Sequence, residues 1–413
     1  MISSGDESMP SANASSKRYL AALAEELDIS DTRYEQAEKS YNSLGRWLNR
    51  PESTLKDYGP AVYVQGSFGL GTVIKPLNED EEYDVDAVCE LKYLGKTQLT
   101  QQNLKELLRV EMESYRRSQS MHKPLHEGRR CWTLNYSDGA QFHMDVVPAL
   151  PNGESVRRIL QANRYDARWA GTAIAITDNE RWDYRQITDD WPRSNPKGYL
   201  EWFKTRMAVV LNERKRALAK SMNASVEKIP DYKVRTPLQH SIMILKRHRD
   251  MMFAMDEINC CPISIIITTL AAHAYEGQED VADALLSILS GMERHILRDS
   301  HNRAHIANPS DPMENFADKW AEHPERERAF YTWLRQAQAD YAKVAAMEQG
   351  SSMADALSPH MGTGLAKRAE TRFRGGSSGL LRGATAATAA TVASSTPSFG
   401  SVPRVPSKPQ GFA

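Results

Sequence analysis

Apolar residues in the stretch 17–50 recur near helical spacing, at Tyr19, Leu20, Leu23, Leu27, Tyr34, Tyr41, Leu44 and Leu48, which predicts one long N-terminal helix ended by Pro51. The pattern then shortens. AVYVQ at 61–65 reads as a brief apolar strand, and YDVDAVCEL at 83–91 alternates as a second. Residues 100–117 return to an amphipathic helical period. RRCWTLNY and AQFHMDVVPAL flank Ser137-Asp138-Gly139, a β-hairpin signal. Beyond Pro148 the strand signals fade. Helical patterns dominate from about 196 to about 348, with breaks at Pro230, Pro237, Pro262 and the 307–312 loop. The prediction is an α/β protein, a mixed sheet followed by a helical part. Strands and helices do not alternate as βαβ, which argues against a Rossmann-type sheet.

Composition changes this picture at the ends. Residues 1–16 are polar and read as disordered, and from 349 to 413 Ser, Gly, Ala, Thr and Pro predict a flexible low-complexity tail. Residues 351–413 carry seven Lys or Arg against two Asp or Glu, so a net charge of −1 for the chain leaves −6 for the rest. That balance excludes an electrostatic nucleic-acid binder. The four cysteines form no CxxC pair, and Cys260 and Cys261 are adjacent, so reduced core thiols are expected. MISSGDESMPSANASS has no apolar signal core, and PISIIITTLAAHAY is too short to span a bilayer. The expectation is a soluble, cytoplasmic protein.

The chemistry lies in GSFGLGTVIKPLNEDEEYDVDAVCEL, residues 66–91. Successive strand side chains point to opposite faces, so Asp84 and Asp86 share one face while Tyr83, Val85 and Ala87 pack on the other. Two such carboxylates repel unless a cation sits between them, and hard oxygen ligands select Mg²⁺ or Mn²⁺. A bare DxD is also common on a solvated edge strand. Upstream, Gly66, Gly69 and Gly71 let backbone approach a phosphate, and Ser67 adds a donor. A third carboxylate comes from HMDVV, where Asp145 is embedded among apolar residues. It is either paired with Arg129 or Arg130, or it is a metal ligand that also deprotonates an attacking hydroxyl.

Gly66-Ser67, Asp84-x-Asp86 and Asp145 resemble the signature of the polymerase β-like nucleotidyltransferases. TPLQHSIMILKRHRDMMF followed by CPISIIITTLAAHAY is similar to the helical lobe of the cGAS/DncV-like nucleotidyltransferases, the CD-NTases of bacterial anti-phage CBASS systems. The resemblance spans roughly residues 17–345. It implies a catalytic lobe over 17–195 that includes the bracing N-terminal helix, and a helical lobe over 196–348. It also implies two Mg²⁺ or Mn²⁺ ions on Asp84, Asp86 and Asp145, and a triphosphate held by Lys246 and Ser264 with Gly66 and Ser67. In WPRSNPKGYLEWF it implies a base-reading Asn195, with Tyr199 or Trp202 either stacking on a base or packing. The substrates would be ATP and/or GTP. The product would be a cyclic oligonucleotide, foremost a cyclic dinucleotide, acting on a downstream effector in anti-phage defence. Many CBASS operons encode a ubiquitin-type E1–E2 fusion, so the terminal Ala413 is a candidate conjugation point. Two features depart from the animal enzymes. The zinc-binding insertion that clamps DNA is missing, so activation by DNA is not expected, and Ile265 stands where a base-stacking tyrosine follows the triphosphate serine. Other expectations are a superfamily member that modifies a protein or RNA end, and a catalytically silent nucleotide sensor.

Overall fold

In the computed structural model, which describes residues 9–77, 83–136, 142–256 and 258–375, the N-terminal helical pattern folds as two helices rather than one. Helix α1 is Ala14–Leu27 and α2 is Asp31–Leu48. The break falls at Asp28, whose extended backbone frees its carboxylate to accept from Arg235 Nε at 3.0 Å and to meet His240 Nε2 at 3.1 Å. Short polar side chains there favour caps over helix interior. At the other end Asn13 caps α1, accepting from the Ser15 and Ser16 amides, so residues 14–16 are helical rather than disordered.

The strands follow: β1 (Pro60–Val64), then after the short helix α3 (Gly66–Leu70) β2 (Tyr83–Leu91), helix α4 (Gln101–Ser118), β3 (His126–Glu127), β4 (Trp132–Tyr136) and β5 (Phe142–Pro151). Helix α5 (Gly153–Ala162), β6 (Ile174–Ile176) and β7 (Arg193–Ser194) complete this part. The sheet runs β1-β2-β5-β4-β3, with β6 on the far half of β5 and β7 beside it. Strands β2 and β5 are parallel, and the other pairings are antiparallel. Residues 78–82 and the proposed 137–139 turn lie outside the described residues. One sheet face presents Val85, Ala87, Leu134, Met144 and Val146 to Leu44 and Leu48 of α2 and to Leu104, Leu108 and Met112 of α4, all buried in one core. The opposite face is left for Asp84, Asp86 and Asp145.

A second core gathers the helical part: α1, α6 (Pro196–Ser221), α7 (Pro237–Met252), α8 (Ser264–Ala274), α9 (Val281–Gly291) and α10 (Pro324–Ala345). Between α9 and α10 lie the short strands β8 (Leu297–Arg298), β9 (Ala304–His305), β10 (Ala307–Asn308) and β11 (Asp311–Asn315). α1 packs against this core while α2 packs on β1 and α4, so the broken N-terminal helix touches both parts. The expected low-complexity tail starts differently. Residues 350–374 form helices α11 (Gly350–Met361) and α12 (Thr363–Arg374). They bury Met353, Leu357, Met361, Leu365 and Ala369, and Arg372 bonds Glu26 of α1 at 2.7 Å. Small residues read as disorder in composition are here close-packing contacts. Residues 376–413 lie outside the described residues. Among the described residues no helix is long and apolar enough to cross a membrane.

Candidate active site

The parallel register of β2 and β5 sets Asp86 beside Asp145 and Asp84 beside His143. All three carboxylates therefore rise from one sheet face at adjacent positions, as alternation predicts. The loop after β1 closes on them. Gln65 N donates to Asp86 O at 2.8 Å, and Gly66 turns there with φ +59. A Cβ on Gly66 would lie 2.2 Å from Asp86 Oδ2, so only glycine fits against this carboxylate.

Each aspartate has its own setting. His143 Nε2 meets Asp84 Oδ1 at 2.5 Å, and that hydrogen bond holds the Asp84 carboxyl below its ordinary range. Asp145 Oδ1 accepts from Thr133 Oγ1 at 2.5 Å. The arginines considered as its partners bond elsewhere: Arg129 and Arg130 reach Asp178, at 2.8 and 3.3 Å. Asp86 is pushed up to about 6, first by burial and then by the charges of Asp84 and Asp145. This is the repulsion that an oxygen-seeking cation would relieve.

Facing Asp84 and Asp86 is a cleft of about 580 Å³, lined among others by Gly66, Ser67, Lys246 and Ser264; Asp145 stands beside Asp86 on the sheet and does not line it. The structure thus brings together six of the residues singled out in the sequence. Lys246 comes from α7, donates to Thr72 O at 3.0 Å, and is lowered to about 8, mainly by burial and then by Arg249. Ser264 opens α8, where helix amides point outward. Its Oγ accepts from Arg249 Nη1 at 2.9 Å. Arg249 and Lys75 are cleft residues that sequence reasoning missed. Arg249 lies one helical turn after Lys246 in LKRHRD, so the i, i+3 spacing could have marked it.

A second cavity of about 280 Å³ shares Gly66, Asp86 and Ile265 with the first. Asn195, Tyr199, Asn308, Glu314 and Phe316 also line it. Asn195 does not offer a free edge for a base. It caps α6: its Oδ1 accepts from Gly198 N at 3.0 Å and Thr172 Oγ1 at 2.9 Å, and its Nδ2 donates to Trp169 O at 2.8 Å. Tyr199 and Trp202 are buried, and the Tyr199 hydroxyl is bonded to Thr269 Oγ1 at 2.8 Å, so packing is their role. Among the polar residues lining this cavity is Glu314, whose Oε2 accepts from Asn308 Nδ2 at 2.6 Å. Ala413 lies outside the described residues.

Comparison with known proteins agrees with this architecture. A family model described as the Second Messenger Oligonucleotide or Dinucleotide Synthetase domain (SMODS) matches residues 15–181. A c-di-GMP synthase of Roseivirga ehrenbergii is 30% identical over 319 residues, covering 76% of each chain. The cyclic dinucleotide synthase CdnG of Bradyrhizobium diazoefficiens is 26% identical over 320 residues, 73% of this chain and 70% of that one. The solved structure of the B. diazoefficiens CD-NTase CdnG in complex with GTP shares the fold, with a TM-score of 0.64 at 20% identity over 87% of this chain and 99% of that one.

Proposed function

The chain belongs to the CD-NTases, nucleotidyltransferases that make cyclic oligonucleotides, and on that footing we propose that it condenses two NTPs into a cyclic dinucleotide in a metal-dependent reaction serving anti-phage defence. The observation that carries this reading is the placement of Asp84, Asp86 and Asp145 on one sheet face, with Asp84 and Asp86 lining a cleft that Lys246 also lines. Asp84, Asp86 and Asp145 would hold Mg²⁺ or Mn²⁺, two ions in this family. When bound, such ions neutralise phosphate charge and lower the pKa of the attacking hydroxyl.

The chain's own residues do the rest. Lys246 and the α8 amides at Ser264 hold the β- and γ-phosphates of the donor, with Gly66 and Ser67 closing over them. Asp145 takes the proton from a ribose hydroxyl of the acceptor. The hydroxyl oxygen bonds to the donor α-phosphorus, the bond to the bridging oxygen breaks, and pyrophosphate leaves. A second transfer closes the ring. Guanine is the favoured base: Glu314 presents acceptor oxygens to the second cavity, which suit the N1–H and N2–H donors of guanine and not the adenine edge. The similarity to a c-di-GMP synthase of Roseivirga ehrenbergii points the same way. The enzyme would work in the cytoplasm, its product activating a downstream effector. Ala413 would be the point of conjugation by an E1–E2 partner where one is encoded nearby.

Incubation with each NTP and with mixtures, in Mg²⁺ or Mn²⁺, followed by mass spectrometry and nuclease mapping, tests this directly. A cyclic product from GTP supports it. A protein or RNA acceptor requirement, or no pyrophosphate release at all, would replace it with one of the alternative functions.

A further inference from the structure

Away from both cavities, α7, α10 and α11 meet at three side chains that the catalytic reading does not use. His248 on α7, Asp340 on α10 and His360 on α11 bring their ligating atoms within 4.8 Å of one another. Asp340 Oδ2 stands 3.0 Å from His248 Nε2 and 2.6 Å from His360 Nδ1. Its other oxygen is held by Gln336 Nε2 at 2.9 Å, which aims Oδ2 at the two imidazoles. His248 is fully buried, while the side chains of Asp340 and His360 keep 15% and 25% exposure, enough for water to reach the cluster from one side.

We propose that His248, Asp340 and His360 form a binding site for a borderline transition-metal ion, Zn²⁺ foremost, that fastens the back of α7 to α10 and α11. Two imidazole nitrogens and one carboxylate oxygen suit Zn²⁺ and disfavour Mg²⁺, which wants oxygen. The carboxylate is oriented from outside by Gln336, the arrangement that metal ligands need. A plain hydrogen-bonded clasp accounts for less. It loads two imidazoles onto one carboxylate oxygen. Ligands about 2.0–2.1 Å from a tetrahedral zinc stand about 3.3 Å apart, so each carboxylate–imidazole separation need open by less than about 1 Å. His360, partly exposed on α11, can supply that movement. His248 lies two residues after Lys246, about 200° round the helix at about 100° per residue, so the ion would hold α7 from the side away from the triphosphate.

The test uses the full chain, stripped with chelator, carrying Asp84→Asn and Asp86→Asn so that the carboxylate site does not compete. Zn²⁺ titration by calorimetry should give one equivalent per chain and raise the melting temperature. Co²⁺ should give the intense visible bands of a tetrahedral site with nitrogen ligands. His360→Gln should weaken Zn²⁺ binding at least about 10-fold, and Gln336→Ala about 10-fold. A Co²⁺ spectrum of weak octahedral bands, or equal Zn²⁺ affinity in His360→Gln, overturns the proposal. The Co²⁺ spectrum of the parent protein decides even if a variant fails to fold. None of these readouts depends on nucleotidyl transfer, so the site stands or falls apart from the proposed reaction.

Discussion

Asp86 is asked to be an anion where its neighbours disfavour one. Its pKa of about 6 lies above the ordinary 3.8, so protonation favours the folded state. That contribution is complete below about 3.8 and is lost as pH rises through about 6. In metal-free protein Asp86→Asn should therefore raise the melting temperature at pH 7–8, at about 1–2 °C per kcal/mol for a chain of this size. The gap over the wild type should close between pH 6 and 4. Activity should vanish, since the variant cannot share a divalent cation. Thermal melts across pH, with product assays alongside, check both halves; an unchanged melt at every pH would remove the repulsion argument. Lys246 tests the opposite wall. Lys246→Ala removes a charge-assisted phosphate contact worth about 1.5–3 kcal/mol, so KM for the donor NTP should rise about 10- to 150-fold. An unchanged KM would place the triphosphate elsewhere.

At the scale of elements, the active site was legible because it rests on local rules. Period-two alternation in YDVDAVCEL and HMDVV put three aspartates on one face, and the glycine before Ser67 marked a turn against them. What that reading lacked was contact. Nothing in the sequence of residues 28–30 said that Asp28 would end α1 on Arg235, just before α7, and on His240 within it. Nor did it say that the polar groups of Asn195 would be consumed by Thr172 and Trp169. Glu314 escaped notice because its place at the cavity depends on the pairing of β10 and β11, which no local spacing announces. Gly66 gives the element-scale prediction. Gly66→Ala places a methyl 2.2 Å from Asp86 Oδ2 on a backbone with φ +59, which for alanine costs about 1–2 kcal/mol. The loop and carboxylate must part, and a displacement of about 1 Å at reacting groups costs about 10²-fold in rate. Turnover should fall by that order while the melting temperature drops by only a few degrees. Full activity in this variant would mean that the loop does not press on the site during turnover.

At the scale of the molecule the question is where the folded body ends. Composition predicted an end near 348, because Ala, Gly, Ser and Thr were counted without their spacing. Packing carries it further: the described residues through 375 belong to one compact unit, and α11 and α12 close over Tyr19 of α1 and Tyr341 of α10. Gly350 is where the closure is tightest, since a Cβ there would meet the Phe373 ring at 2.4 Å. Removal of residues 349–413 takes away the buried side chains of Met353, Leu357, Met361 and Leu365. Each contributes about 1.5–3 kcal/mol, and together they rival the whole of a typical domain's 5–15 kcal/mol. The shorter protein should be insoluble, or should melt without cooperativity, with hydrogen exchange accelerated first along α1, whose Glu25 and Glu26 lose Arg372. Because Lys75 in the cleft is held by the Glu26 and Leu27 carbonyls, loosening α1 should also raise KM for NTPs before the fold is lost. A protein ending at 348 that melts cooperatively at the full-length temperature would show instead that α11 and α12 are accessory to the core.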